Sequence, residues 1–131
     1  MKPVADTGLL VGFLDASDQH HAWAARCFAE LSSALFTCEA VLTETEDLVP
    51  GSGPLLMEMI RRGTLHIVSL LPAEAEGLGF LMKRYEQMQF ADACVVRLSE
   101  IVPNALVYTT DKRDFSIYRR RGREMIKTVT P

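Results

Sequence analysis

The segment Val-Ala-Asp-Thr-Gly-Leu-Leu at residues 4–10 sets the expected fold, because a single carboxylate joins a short apolar run to a helical pattern. Asp6 closes the run Val4-Ala5 and is followed by Thr7-Gly8. A carboxylate at the end of a buried strand is costly to bury unless a positive group joins it. The segment therefore predicts a buried strand that ends in a functional carboxylate.

Further acids occur in similar settings along the chain. Glu44 lies in the helix-like stretch 38–44, Asp92 opens the apolar segment 91–96, and Asp111 follows the apolar run 105–110, with Asp114 three residues on. At about 4 Å and an effective dielectric near 20, each like-charge pair costs on the order of 4 kcal/mol. Mg²⁺ or Mn²⁺ removes that cost and can activate water against an anionic phosphodiester. The pattern favours metal-assisted phosphodiester hydrolysis.

Short apolar runs alternate with helical patterns along the chain. The predicted strands are Pro3–Asp6, Ala34–Thr37, Leu65–Leu70, Ala105–Thr109 and an edge strand Met125–Val129. The predicted helices are Leu9–Leu14, His20–Leu31, Glu39–Val49, Leu55–Arg62, Pro72–Tyr85, Ala91–Ile101 and Phe115–Arg121. This alternation predicts a three-layer α/β/α fold with a central parallel sheet. Ligands of such sheets collect beyond the carboxyl ends of the strands, where Asp6 and Asp111 fall.

Each acid also has a structural interpretation, which the sequence leaves open. Asp6 can cap the helix that follows it, and Asp92 can cap the helix that opens beside it. Glu44 can be an exposed helix residue, and Asp111 and Asp114 can be turn and cap residues around the last helix.

Composition indicates one globular domain over residues 1–131. Hydrophobic residues make up 48% of the chain and charged residues 24%, which excludes a disordered protein. The three cysteines are an odd number without a C-x-x-C spacing, so buried free thiols in a reducing compartment are expected. No targeting segment is visible, and we expect a cytoplasmic protein.

Charge is distributed unevenly along the chain. Residues 1–60 carry two basic residues against nine acids, whereas residues 111–127 carry seven basic residues against three acids. An acidic front and a basic tail suit a site that holds a cation and attracts a polyanion. A solvated, positively charged C-terminal helix is the alternative explanation of the tail.

Four short motifs, in order and with matching spacing, resemble those of PIN domains. They are Val-Ala-Asp-Thr-Gly-Leu-Leu at 4–10, the stretch Thr37–Glu44, Gln-Phe-Ala-Asp-Ala at 89–93, and Tyr-Thr-Thr-Asp-Lys-Arg-Asp-Phe at 108–115. The resemblance covers nearly the whole chain and is strongest to VapC-type toxins. It implies a PIN-like fold and a magnesium-dependent cytoplasmic endoribonuclease paired with a small antitoxin.

The resemblance also implies roles for particular residues. The catalytic acidic pocket would consist of Asp6, Glu44, Asp92 and Asp111. Asp6 and Asp92 would be the direct ligands of Mg²⁺ (or Mn²⁺), and Asp114, Thr7 and Thr109 would support the site from around it. We expect attraction of RNA phosphates by Arg113, Arg119, Arg120, Arg121 and Arg123.

Two further functions stay open at this point. One is a magnesium-dependent phosphatase that acts on small phosphate esters. The other is a catalytically silent PIN-like module that binds RNA or a protein. We expect a homodimer that is inhibited by its partner protein.

Overall fold

The computed structural model describes residues 1–131 and is built around parallel strands. The strands are β1 Lys2–Ala5, β2 Leu35–Thr37, β3 Leu65–Ile67, β4 Ala105–Tyr108, β5 Arg119–Arg120, β6 Glu124–Met125 and β7 Thr128–Val129. Five of them form one sheet in the order β3-β2-β1-β4-β7, and every neighbouring pair in it is parallel. The other two, β5 and β6, form a separate antiparallel hairpin.

Seven helices accompany the sheet. They are α1 Thr7–Leu14, α2 His21–Glu30, α3 Glu39–Leu48, α4 Gly53–Arg61, α5 Ala75–Arg84, α6 Phe90–Ile101 and α7 Lys112–Ile117. Sheet residues such as Val4, Ala5 and Val107 are fully buried, because parallel sheets are covered on both faces. The predicted α/β/α fold with a central parallel sheet is therefore confirmed. None of the helices combines the length and the apolar character needed to cross a bilayer.

Helix α6 is the most deeply buried helix and positions the site. Seven of its twelve residues are buried, and it packs against β1, β4, α3 and α5. Small residues in its first turn, Ala91 and Ala93, let it approach its neighbours closely, and both are buried. One hydrophobic core of 28 residues runs through these elements. The N-terminus of α6 consequently lies near the acids at the strand ends.

The register between β1 and β4 brings the two strand ends together. Ala5 pairs with Tyr108, and the backbone N–H of Asp6 donates to the carbonyl oxygen of Tyr108 at 3.0 Å. Gly8 allows this close approach, because a Cβ at that position would overlap the Thr110 side chain. The first helix and the loop after β4 can meet only because this residue has no side chain.

Several predicted boundaries need correction. The helix predicted from Pro72 begins at Ala75, and residues 71–74 form a turn. Glu74 in this turn is bound to the Arg97 guanidinium of α6, which holds the turn against the helix. The strand predicted over Leu65–Leu70 ends at Ile67.

The final helix was predicted too late in the chain. It spans Lys112–Ile117, because the side chain of Asp111 caps it by accepting from the backbone N–H of Asp114 at 3.0 Å. The residues after it form the β5–β6 hairpin, whose turn holds Arg121 and Gly122 at positive φ. The predicted edge strand is divided: its first residue belongs to this hairpin, and only Thr128–Val129 pairs with the sheet edge.

Candidate active site

Asp6 lies at the end of β1 and is 6% exposed. The hydroxyl of Thr109, at the end of the neighbouring strand β4, donates to Asp6 Oδ2 at 2.6 Å. The same hydroxyl accepts from the backbone N–H of Asp111 at 2.9 Å. One threonine therefore connects two of the predicted acids through a fixed geometry. Asp6 occupies the N-cap position of α1, but its side chain makes no capping bond.

Burial raises the pKa of Asp6 to about 6, because an ionised carboxylate is poorly solvated there. Hydrogen bonds from Thr109 and from the backbone of Thr7 lower this pKa, whereas the negative charges of Asp92 and Glu44 raise it. No lysine, arginine or histidine forms an ion pair with Asp6. The carboxylate is thus buried among like charges and has no positive partner within the chain.

Asp92 lies in the first turn of α6 and serves partly as a cap. Its Oδ2 accepts from the backbone N–H of Gln89 at 3.3 Å, in a reciprocal capping box with that residue. The hydroxyl of Tyr118 also donates to Oδ2, at 3.1 Å. Burial raises the pKa of Asp92, and the charges of Asp111 and Glu44 raise it further. Oδ1 accepts no hydrogen bond within the chain, so the cap leaves one oxygen for a ligand.

Tyr118 is a site residue that the sequence reasoning missed. It is fully buried, and its ring packs edge-on against Tyr85 and Phe115 at centroid distances of 5.1 and 5.3 Å. Burial, together with the charge of Asp92, raises the pKa of its hydroxyl, which therefore stays a donor. The available signal was a lone aromatic residue between the fourth motif and the arginines that follow it.

Asp111 and Asp114 are the cap and first-turn residues of α7, as their structural interpretation predicted. The charge of Asp111 nevertheless reaches Asp92, whose pKa it helps to raise. Burial and the neighbouring charge of Asp111 raise the pKa of Asp114. Capping and participation in the acidic site are therefore compatible for Asp111.

Glu44 is half-buried on α3, which packs against α6. It lines a cleft of about 380 Å³ together with Asp47, Gln89 and Phe90. Its negative charge contributes to the raised pKa values of Asp6 and Asp92. The charges of Asp92 and Glu44 thus act on Asp6, and those of Asp111 and Glu44 act on Asp92, although the four acids come from separate segments.

The donor set suits a hard cation that keeps several waters. No three histidine, cysteine, aspartate or glutamate side chains lie close enough together to hold a metal ion as a group. Magnesium commonly binds through one or two carboxylates and retains water for its other positions. The buried hydroxyl of Thr7, beside Asp6, has no hydrogen-bond partner within the chain. Two carboxylates and an unpartnered hydroxyl are compatible with such an ion.

The arginines of the basic tail lie in two places. Arg113 is exposed on α7, where its charge acts on Asp114 of the acidic region. Arg120 bonds to the Ser99 carbonyl, and the backbone N–H of Arg121 bonds to Glu100, both near the C-terminal end of α6. At 1.5 Å per residue, this end lies about 10 Å along the helix from Asp92.

The other two tail arginines differ in how free their side chains are. Arg119 donates to three backbone carbonyls, those of residues 116–118. Arg123 is exposed in the turn of the hairpin. Of the five arginines, Arg113 is therefore the one beside the acids.

Two known proteins are similar to this chain in sequence or in fold. No protein-family model matches the sequence. The chain is 25% identical over 126 residues to Ribonuclease VapC26 of Mycobacterium tuberculosis, covering 91% of this chain and 93% of that protein. Its fold matches the crystal structure of Mycobacterium tuberculosis VapC20, a sarcin-ricin loop cleaving toxin, with a TM-score of 0.75 at 20% identity. That match covers 86% of this chain and 92% of the other. The chain has the PIN-like fold of VapC20.

This fold match agrees with the PIN-like fold that the four motifs implied. The first and fourth motifs end the adjacent strands β1 and β4, and the second and third lie on α3 and α6. The acids of the first and fourth motifs follow these two strands, and the charges of the acids on α3 and α6 act on Asp6.

Proposed function

We propose that this chain is a PIN-domain protein that acts as a metal-dependent endoribonuclease and as the toxin of a type II toxin–antitoxin pair. The observation that carries the proposal is the convergence of Asp6, Glu44, Asp92 and Asp111 at one sheet edge without a basic partner. The relative named as a ribonuclease, at 25% identity over most of both chains, supports RNA as the substrate.

Asp6 and Asp92 are the residues that would hold Mg²⁺ or Mn²⁺. Both are carboxylates whose pKa is raised by burial and by neighbouring negative charge, and a cation would relieve both effects. When bound, the cation would make a coordinated water easier to deprotonate and would screen the charge of the phosphodiester.

The chain's own groups orient the two carboxylates. The Thr109 hydroxyl fixes Asp6 through Oδ2, and the Tyr118 hydroxyl fixes Asp92 through Oδ2. Removing a residue that hydrogen-bonds to a metal ligand commonly lowers metal affinity or activity by about 10- to 100-fold. We assign Tyr118 the same positioning role that the resemblance gave to Thr7 and Thr109.

Glu44 and Asp111 flank the pair and would hold water by accepting hydrogen bonds. Their negative charge also favours transfer of a proton away from the water that attacks the RNA phosphate. Asp114 supports Asp111 through its backbone N–H, which donates to Asp111 Oδ1.

RNA attraction is assigned chiefly to Arg113, because it is exposed beside the acidic region. Arg121 and Arg123 would contact phosphates farther along a bound strand, and Arg119 and Arg120 would add positive charge while they hold the hairpin. These contacts predict binding that weakens as the salt concentration rises.

The proposal extends to the setting of the protein. A small antitoxin would inhibit the toxin by covering the acidic cleft, and the toxin would be a homodimer of single PIN-like domains over residues 1–131. Three free cysteines suit a reducing compartment, so we place the protein in the cytoplasm.

The proposal is tested by incubating the purified protein with total RNA in chelator, in Mg²⁺ and in Mn²⁺. We expect cleavage only with metal. The cleavage rate should fall about a hundredfold or more in Asp92→Asn, because loss of a direct ligand should cost at least as much as loss of a residue that hydrogen-bonds to one. Glu86→Gln, which changes an exposed acid in a turn, is the matched control and should cut like the natural chain.

Two outcomes would contradict the proposal. Cleavage that persists in chelator, or at an unchanged rate in a folded Asp92→Asn variant, would exclude the acidic site as its source. Intact RNA beside metal-dependent hydrolysis of a small phosphate ester would replace the ribonuclease by a phosphatase.

A further inference from the structure

A second cavity lies towards the C-terminal end of α6, between α5 and the turn of the β5–β6 hairpin. It has a volume of about 380 Å³, and its lining includes Phe80, Arg84, Arg97, Glu100 and Arg121. It shares no lining residue with the acidic cleft beside Glu44. Glu100 lies eight residues after Asp92, which corresponds to about 12 Å along the helix. The cavity is therefore separate from the acidic site.

The cavity carries positive charge that the chain does not neutralise. Of its three arginines, Arg97 is paired with Glu100 and with Glu74. Arg84 and Arg121 are exposed, and neither forms an ion pair with an acid of the chain. Two guanidinium groups from different elements thus line one cavity without a negative partner. Such groups bind phosphate oxygens through charge-assisted hydrogen bonds.

Contacts within the protein hold Arg84 at the hairpin. The central carbon of its guanidinium lies 5.2 Å from the ring centroid of Tyr85. A Cβ at Gly122 would lie 3.4 Å from Arg84 Nη1, so the guanidinium lies against the hairpin turn. The Tyr85 hydroxyl accepts from the backbone N–H of Arg119 at 3.0 Å, which ties the hairpin to α5. A planar guanidinium held in this way is suited to two parallel bonds to one phosphate.

An aromatic ring stands beside these two arginines. Phe80 is 65% exposed, whereas Leu78 and Leu81 on the same helix are buried in the core. The ring therefore lies outside the packed face of α5. Unpaired RNA bases stack on aromatic side chains, while the phosphates between them bind basic residues. A free aromatic ring next to two free guanidinium groups matches the alternating bases and phosphates of a single strand.

We propose that Phe80, Arg84 and Arg121 form a second RNA-binding site, which holds a single-stranded segment of the substrate outside the acidic cleft. Phe80 stacks on one base, and the two arginines bind the phosphates next to it. An acidic segment of a protein would need the arginines but not the ring. The choice of an RNA strand rests on the proposed function, and binding measured without cleavage tests it separately.

The two sites are close enough for one strand to occupy both. Tyr118 lies between them, because its hydroxyl donates to Asp92 and its ring packs against Tyr85. A stacked strand advances about 3.4 Å per nucleotide, so about four nucleotides span the separation along α6. The second site therefore favours substrates with an unpaired stretch of at least this length.

The experiment measures binding of the purified chain to a labelled single-stranded RNA of about 16 nucleotides, in chelator and at several salt concentrations. Arg84→Ala and Arg121→Ala should each lower the logarithmic salt slope by about 0.7. Phe80→Leu should weaken binding by about 5- to 150-fold and leave the slope unchanged, because it removes only stacking. Phe80→Trp should bind like the natural chain. The control is Arg26→Ala, which changes an exposed arginine of α2 that has no ion pair.

Cleavage kinetics in Mg²⁺ give a second readout. Phe80→Leu should raise KM for the same RNA and leave kcat unchanged, because the ring binds the substrate away from the reacting phosphate. Each substituted side chain is exposed, so the variants should fold like the natural chain.

Two results would overturn the inference. Arg84→Ala and Arg121→Ala could both bind RNA as Arg26→Ala does, which would exclude the cavity from RNA binding. Phe80→Leu could bind as tightly as the natural chain while the arginine variants lose salt dependence; the cavity would then fit an acidic protein segment instead of a stacked base. If the natural chain binds RNA as expected but cuts none with either metal, the proposed function fails and the second binding site stands.

Discussion

Replacement of Asp6 by asparagine should make the metal-free protein more stable at neutral pH. The unfolded chain releases the Asp6 proton near the ordinary pKa of 3.8, whereas the folded chain holds it up to a pKa of about 6. Between these values the folded state binds more protons, so the free energy of unfolding falls as the pH rises. At about 1.4 kcal/mol for each tenfold change in proton affinity, the charged form costs about 3 kcal/mol above the folded pKa.

The asparagine variant removes this cost and keeps an oxygen that can accept from Thr109. We therefore expect its free energy of unfolding to exceed that of the natural chain by about 1–3 kcal/mol at about pH 7.5 in chelator. The difference should shrink towards zero at about pH 4, where Asp6 is protonated in the folded protein. Urea unfolding at the two pH values measures both quantities. Glu86→Gln, in an exposed turn, should change stability by less than about 0.5 kcal/mol.

Magnesium should cancel or reverse this difference in the free energy of unfolding. A ligand at about a hundred times its dissociation constant stabilises the state that binds it by about 2.7 kcal/mol. We expect this gain for the natural chain and for Glu86→Gln, but not for Asp6→Asn. An Asp6→Asn variant that is less stable than the natural chain in chelator at neutral pH would refute the reasoning from burial and like charge.

Three other substitutions test separate parts of the structure. Tyr118→Phe removes the hydroxyl that holds the α6 carboxylate; we expect a loss of about 1–3 kcal/mol in urea unfolding and roughly tenfold slower RNA cleavage. Gly8→Ala places a Cβ against a threonine side chain and should cost about 1–3 kcal/mol. Gly79→Ala, which meets open space on a helix, should instead stabilise by up to about 1 kcal/mol, and thermal unfolding compares the two. Arg113→Ala should lower the salt dependence of RNA binding by about 0.7 in the logarithmic slope, whereas Arg61→Ala, on an ion-paired surface arginine, should not. An equal slope for both arginine variants would contradict the placement of RNA beside α7.

The sequence predicted the sheet and the main helices well, because buried parallel strands and their covering helices leave clear apolar patterns. The residues of the first and fourth motifs fell at strand ends for the same reason. Pro72 misled the helix prediction, since a tertiary ion pair between Glu74 and Arg97 fixes the turn there, and no local pattern reports it. The β5–β6 hairpin was missed because two-residue strands have no periodicity to detect.

The site was only partly accessible to sequence reasoning. Acids in the right segments could be named, but the double use of Asp92 and Asp111 as caps and site residues required coordinates. Tyr118 contacts Asp92 across 26 positions, and such a contact leaves no mark on either local segment. The arginines lie near two different ends of α6 because of the β5–β6 hairpin, which the sequence pattern did not predict.

The bond between Thr109 and Asp6 joins residues that are 103 positions apart. Until β4 has been synthesised and has docked beside β1, the carboxylates of the first and last motifs belong to unconnected parts of the polypeptide. A chain still leaving the ribosome therefore has no assembled acidic site. The order of the strands thus delays assembly of this site until the chain has been synthesised past Thr109.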